Sequence, residues 1–349
     1  MKIAVVGTFT QSNLERLLAG AFSELGHTVV TFDAWAQGGF LRRSKLAKSL
    51  STIPRVRHLV RDDQLRYVNR RAREFFEEHN PELVISHNGG DMLPETVRSL
   101  TSKGVPVASF AADDPTLGFY VPDFLPVFPY FTHVFVPESG LVEKLQRLTD
   151  GRVIYNSGGS TPGAYEPRVP SERERERFGA NLGYASSAYS GGAYGVYRAI
   201  WLTHVRDLGL RIFGDPNWRV VARKVPEIAE CVHADGMLGL DEMNALYASV
   251  KIYVNIVNPQ ITTGVAQRVF DAAAAGCFQV TEYKADLDRL FPDGEIVSFR
   301  TPGELRSKVE YFLRHPEEAA AKAAVARKRV LAELTWKQKV QEMCDAVFG

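Results

Sequence analysis

Short apolar runs alternate with helical stretches along this chain, and the alternation is interrupted once. Ile3 to Gly7, Thr28 to Phe32, Leu83 to Ser86, Val105 to Phe110, Val134 to Val136 and Val153 to Tyr155 read as buried strands. Between them, Asn13 to Leu25, a long basic stretch ending at Asn80-Pro81, Leu93 to Ser102 and Gly140 to Leu148 read as helices. Strands separated by helices imply a parallel sheet covered on both faces. The interruption, Ser157-Gly158-Gly159-Ser160-Thr161-Pro162-Gly163, has the composition of a linker. After Pro167, Pro170 and the charged run Glu172 to Arg177, a second series begins. Its expected strands are Asn181 to Ala185, Leu210 to Phe213, Cys231 to Ala234, Ile252 to Val257 and Phe278 to Thr281. Its expected helices are Val196 to Leu208, Leu240 to Ser249, Glu304 to Leu313, Pro316 to Leu334 and Trp336 to Phe348.

A chain of 349 residues exceeds the usual size of one core. The expectation is therefore an α/β protein with two Rossmann-like domains facing each other across a cleft. Residues 1–160 form the first, 161–334 the second, and 335–349 a terminal helix returning to the first. Ligands of such sheets bind outside the carboxyl ends of the strands.

The segment Thr262-Thr263-Gly264-Val265-Ala266-Gln267-Arg268-Val269-Phe270-Asp271, continuing to Gly276, carries the most chemistry. It follows an apolar strand and reads as a short Ala-rich helix. Thr262 or Thr263 is its expected cap, and Gly276 its expected end. Gly264, Arg268 and Asp271 then share one face. Free amides and dipole at a helix start favour an anion, and a guanidinium clamps phosphate with two prongs. Asp271 is placed to accept from ribose hydroxyls. An alternative reading is a core helix whose Arg268 and Asp271 pair with each other.

A net charge of +1 excludes a global field that attracts nucleic acid. Locally, Arg42, Arg43, Lys45, Lys48, Arg55, Arg57, Arg61, Arg66, Arg70, Arg71 and Arg73 crowd one stretch. They read as a solvated helix face or as a surface for an anionic acceptor or an acidic membrane. Cys231, Cys277 and Cys344 lie far apart without metal-ligand spacing, which suits a reducing, cytoplasmic setting. Met1 to Gly7 reads as a strand rather than a signal peptide, and no apolar run reaches the roughly 18–20 residues of a transmembrane helix.

Several segments together resemble the GT-B glycosyltransferases, and within them the CgeB-like (spore maturation protein) branch. They are Ala112-Asp113-Asp114-Pro115, Tyr155-Asn156-Ser157-Gly158-Gly159 leading to Tyr165-Glu166-Pro167, Asn255-Ile256-Val257-Asn258-Pro259-Gln260, Thr263 to Asp271, and Leu290-Phe291-Pro292-Asp293-Gly294-Glu295. The resemblance spans nearly the whole chain and is strongest from about Gly236 to Arg300. It implies a hexosyltransferase-type enzyme that moves a sugar from a nucleotide-diphosphate donor, such as a UDP-sugar, to an acceptor hydroxyl. Related glycogen-synthase-like enzymes carry two glutamates eight residues apart before an Ala-rich helix. The second falls on Asp271, which would hold the donor ribose. The first falls on Thr263, so that carboxylate is missing. Arg268 would meet the diphosphate, and the resemblance implies no metal and no cofactor besides the donor itself.

Such a transfer needs a base near the acceptor hydroxyl. Asp113 and Asp114 follow a strand at its carboxyl end and are the first choice. Like-charge neighbours raise one pKa. His87, beside the loop Asn88-Gly89-Gly90-Asp91, is the rival. Gly7, Thr8 and the Gly89-Gly90 pair are candidates for the acceptor side. Gly214, His233 and Gly236 are expected to approach the nucleotide, and the Ser186 to Gly192 loop to close on the phosphates. The acceptor stays open among a saccharide, a lipid-linked glycan, a protein, and DNA held by residues 42–73; a membrane-peripheral location goes with the lipid-linked case. Two other readings of the fold are a nucleotide-sugar epimerase and a non-catalytic nucleotide-sugar-binding protein.

Overall fold

The computed structural model describes residues 1–9, 14–34, 36–37, 54–89, 92–117 and 124–349, with backbone alone for 54–60. Residues 42–53 of the basic stretch, and Gly90 and Asp91, lie outside the described residues. The chain divides into two compact units, Met1–Ser157 with Trp336–Gly349, and Gly158–Thr335.

Among the described residues the first unit has six strands, β1 Lys2–Gly7, β2 Thr28–Asp33, β3 Leu83–His87, β4 Val107–Phe110, β5 His133–Val136 and β6 Arg152–Tyr155. They pair in parallel in the order β2-β1-β3-β4-β5-β6. Ile3, Ala4, Val5 and Val6 are buried on both faces, as an inner parallel strand requires. Helices α1 Leu14–Glu24, α2 Pro54–His79, α3 Pro94–Thr101 and α4 Ser139–Gln146 connect them, with a single turn at Phe124–Val127.

The second unit has five parallel strands, β7 Ala180–Ala185, β8 Leu210–Phe213, β9 Val250–Asn255, β10 Gln279–Glu282 and β11 Val297–Phe299, in the order β11-β10-β9-β7-β8. Its helices are α5 Glu172–Phe178, α6 Ala193–Thr203, α7 Trp218–Lys224, α8 Leu240–Ser249, α9 Gln267–Ala274, α10 Asp286–Leu290, α11 Pro302–Arg314 and α12 Pro316–Glu333. The charged run after Pro170 is α5, started by a capping box in which Ser171 and Glu174 satisfy each other's backbone amides. The last helix, α13 Trp336–Phe348, belongs to the first unit. Trp336, Val340 and Met343 join Ile3, Val5 and Phe22 in one core. The Asn156 amide donates to the Lys339 carbonyl at 2.9 Å.

Two expectations are corrected. The helix carrying Arg268 starts at Gln267 with Ala266 as its uncapped boundary, so neither Thr262 nor Thr263 caps it and Gly264 is not on its face. The preceding segment is held otherwise: the Thr263 carbonyl accepts from the Asp286 amide at 3.0 Å. The end is as expected. Gly276 (φ 71°) closes α9 in a Schellman motif, with Gly276 N to Ala273 O at 3.0 Å and Cys277 N to Ala272 O at 2.9 Å. Cys231 to Ala234 is not a strand. A 3-10 turn covers Pro226–Cys231, and only Val232 bridges to Ile212 on the edge strand β8.

Candidate functional site

In the second unit the connection from β7 runs one way along the sheet, to β8, and that from β9 runs the other way, to β10. Between β7 and β9 the order therefore reverses. Their following loops, 186–192 and 256–266, leave the carboxyl ends of the strands there, the place where open α/β sheets bind their ligands.

Arg268 is the second residue of α9, in the first turn. Its side chain is partly buried, forms no ion pair among the described residues, and keeps its Nε buried without an acceptor. The hydroxyls of Tyr253, Tyr184, Tyr247 and Tyr189 lie within its electrostatic reach. Asp271, one turn on, exerts charge on Arg268 but makes no salt bridge to it. The core ion pair that the sequence also allowed is thus absent. Further buried atoms without a partner gather on these segments: Tyr184 OH, Ser186 Oγ, Tyr247 OH, Asn258 Oδ1 and Gln260 Oε1. Buried polar atoms in folded proteins are ordinarily satisfied by protein, water or ligand.

Asp271 has a different environment. It is 5% exposed. Its Oδ1 accepts from Ser160 Oγ and from Gln267 Nε2, both at 3.1 Å, and Gln267 Nε2 also donates to the Gly159 carbonyl at 2.7 Å. Burial raises its pKa to about 7, against the two hydrogen bonds and Arg268, which lower it. Ser160 in turn bridges to Thr335 in parallel. Helix α9 is thereby tied to the segment that enters the unit.

The turn after β7 is strained. Tyr189 (φ 46°), Ser190 (φ 60°) and Gly191 (φ 70°) are left-handed in succession. A non-glycine residue there costs roughly 1–3 kcal/mol. Several bonds hold the turn: Ala188 N donates to Asp215 Oδ2 at 2.9 Å, and Lys224 Nζ to the Gly191 carbonyl at 2.7 Å. Arg198, 1% exposed, donates to the Ser187 carbonyl and, at 3.0 Å, to the Tyr194 carbonyl. Gly214 lies beside this turn; at its φ of 143°, an added Cβ would stand 2.0 Å from the Ser186 carbonyl oxygen. Gly236 N donates to the Gly214 carbonyl at 3.2 Å and His233 N to the Ile212 carbonyl at 2.8 Å, so Gly214, His233 and Gly236 are brought together by backbone pairing. Thr263 and Gly264 stay in the β9–α9 loop.

In the first unit the order reverses between β1 and β3. His87, the last residue of β3, lies there, and its Nδ1 is 3.0 Å from Glu15 Oε1 on α1. Glu15 is 2% exposed and also accepts from the Thr8 amide at 3.1 Å. Its side chain fills the space above Gly7, where an added Cβ would meet Glu15 Cγ at 2.6 Å. Asn88 (φ 54°) turns the chain after β3, and its Oδ1 accepts from the Ala112 amide at 2.8 Å. Asp113 and Asp114 follow β4, one strand further from the reversal. Asp114 is bound by Lys144 Nζ at 2.5 Å and by Thr116. Burial pushes its pKa up, but these bonds win and hold it below the ordinary carboxylate value.

Sequence reasoning missed Glu15, Ser160 and Arg198, isolated polar residues on apolar or linker segments with no motif around them. It also missed Glu282, 8% exposed at the end of β10, which accepts from the Val257 amide at 3.0 Å and pairs with Lys284. The Leu290 to Glu295 motif is structural: Glu295 pairs with Arg329 at 2.9 Å on α12.

Residues 198–345 match the family model described as Glycosyl transferase-like. No curated protein matches the sequence. Among solved structures, the chain is similar to sucrose-phosphate synthase from Thermosynechococcus elongatus, with a TM-score of 0.69 at 12% identity over 99% of this chain and 98% of that one. It is similar to HepE of Anabaena in complex with UDP-glucose, with a TM-score of 0.65 at 12% identity over 99% of each chain. The UDP-GlcNAc 2-epimerase from Neisseria meningitidis bound to UDP-GlcNAc follows at a TM-score of 0.56 and 10% identity, again over 99% of both. Among the described residues no helix is long and apolar enough to cross a membrane. The chain has the two parallel-sheet α/β units of the GT-B fold, and its residues 198–345 are glycosyl transferase-like in sequence.

Proposed function

We propose that this protein is a metal-independent GT-B glycosyltransferase of the CgeB-like branch, working in the cytoplasm on a UDP-sugar. One observation carries the reading: at the order reversal of the second sheet, Arg268 offers a guanidinium with no carboxylate partner, beside a helix start. A diphosphate supplies the acceptor oxygens and the charge that the protein withholds. The solved relatives bound to UDP-glucose and UDP-GlcNAc support a uridine donor.

In this reading, Arg268 and the first amides of α9 stabilise the departing diphosphate. The Glu15 carboxylate, hydrogen-bonded to Nδ1 of His87, fixes the proton there and leaves Nε2 free as a base. His87 Nε2 takes the acceptor hydroxyl proton, the hydroxyl oxygen bonds to the anomeric carbon, and the bond to the diphosphate breaks. Asp114 is the weaker choice because Lys144 and Thr116 already occupy it and lower its basicity. Asp271 serves the ribose less directly than the resemblance implied, since its Oδ1 is engaged by Ser160 and Gln267. The exposed Arg66 and Arg70 of α2 are available to an anionic acceptor, while Arg71 pairs with Glu74.

The test is nucleoside-diphosphate release from UDP-glucose, UDP-GlcNAc and GDP-mannose against a panel of saccharide, lipid-linked and protein acceptors. Release that depends on one acceptor supports transfer. Conversion of the donor sugar without acceptor points to an epimerase. Tight donor binding without any conversion points to a binding protein.

A further inference from the structure

Among the described residues, two side chains join the loops that follow β7 and β9. Tyr189, on the left-handed turn that follows β7, accepts a hydrogen bond at 3.1 Å from Nδ2 of Asn258, which follows β9. The two residues sit on the two loops that part at the order reversal. The Tyr189 ring is fixed from behind. It packs edge-on against Tyr194 with centroids 5.5 Å apart, and the Arg198 guanidinium lies 5.3 Å from its centroid. Its hydroxyl is within the electrostatic reach of Arg268. Asn258 keeps its Oδ1 buried without a partner. A strained turn, a side-chain bond between the two loops and a cation behind it combine in one place.

We propose that the Tyr189–Asn258 bridge is a gate that a nucleoside diphosphate must open to reach Arg268. This rests on the donor-site reading above and adds the residues that control entry. The strain of the turn fits such a device. Tyr189 and Ser190 occupy a backbone region that side chains disfavour, held by Asp215, Lys224 and Arg198. Opening breaks the neutral hydrogen bond between Asn258 and Tyr189. The Asn258 amide becomes available to the ligand as the two loops separate. Arg198 is thus a positioning residue: it carries the gate and does not itself meet the ligand.

The test uses Tyr189→Phe, which keeps the ring and its packing and removes the hydroxyl that accepts from Asn258. Titration calorimetry with UDP is run on the full-length wild type, Tyr189→Phe, Asn258→Ala and Arg268→Ala. Amide hydrogen exchange of the ligand-free proteins is followed over residues 188–192. The gate predicts that Tyr189→Phe binds UDP about five-fold more tightly, the worth of one neutral hydrogen bond. It also predicts faster exchange in the turn for both Tyr189→Phe and Asn258→Ala. Unchanged affinity with unchanged exchange overturns the gate. Weaker binding by Tyr189→Phe also overturns it, because the hydroxyl then contacts the ligand instead of barring it. If Arg268→Ala binds UDP as well as the wild type, the donor-site reading fails. The exchange rates then still report whether the bridge holds the turn.

Discussion

The two sheets reverse their strand order at different kinds of chemistry. In the first unit the reversal between β1 and β3 holds a carboxylate and a histidine already bound to each other, Glu15 and His87. The nearby Asp114 is likewise taken, by Lys144. In the second unit the reversal between β7 and β9 holds Arg268 without a carboxylate partner, while the neighbouring acid Asp271 is bonded to the neutral Ser160 and Gln267. One site spends a buried acid on a neighbouring histidine, an arrangement that fixes the orientation of the ring. The other withholds the counter-ion and suits an anionic ligand. Equivalent positions in two similar sheets are thus specialised by which partners the neighbouring helices supply.

The largest break in this comparison comes from His87. His87→Ala is expected to lower kcat by about 10²–10⁴, the usual worth of a general base. Glu15→Gln is expected to lower kcat less, since it weakens the acceptor that orients the ring. An unchanged kcat removes Glu15 from the mechanism. In the other unit, Asp271 reports its burial through pH. Its folded pKa of about 7 lies above the ordinary value of 3.8. Between these values the folded state holds more protons than the unfolded chain. Its contribution to stability is therefore full below about pH 4 and is lost as pH rises to about 7. The loss is at most on the order of 4 kcal/mol. Asp271→Asn keeps an acceptor for Ser160 and Gln267 and should flatten that slope in denaturant melts at pH 5 and pH 8.

Gly214→Ala tests whether the β7 turn and Gly214 are packed as one body. Its Cβ would meet a backbone oxygen that has no room to move, so a loss of about 3 kcal/mol or more is expected in chemical denaturation. The smallest effect belongs to Asp114→Asn. It removes the charge of a largely buried carboxylate beside the half-exposed Lys144, should cost about 1–2 kcal/mol, and should leave kcat within about two-fold. A large kcat loss there would restore Asp114 as the base.

Much of this architecture was legible in the residues. Short apolar, β-branched runs such as Ile3 to Val6 suit inner parallel strands, and Leu210 to Phe213 and Trp336 to Phe348 fall where the pattern put them. The helix with Arg268 was visible because Ala-rich periodicity ends at Gly276, where the left-handed turn needs glycine. Its start was misjudged because threonine is a good cap wherever a helix happens to begin, and the Thr263–Asp286 backbone bond that holds the preceding loop is long-range. The same limit hid Glu15 from His87, 72 residues apart, and Ser160 from Asp271, 111 residues apart. Residue types announce what chemistry is possible; only the fold decides which acid is spent on a lysine and which arginine is left without a partner.

The central claim is that Arg268 is left unpaired for an anionic donor. Titration calorimetry with UDP on the wild type and on a folded Arg268→Ala tests it most directly. The account predicts measurable binding by the wild type and a loss of at least about ten-fold in Arg268→Ala, as removal of a charge-assisted bond to phosphate implies. Equal binding by both proteins would contradict it.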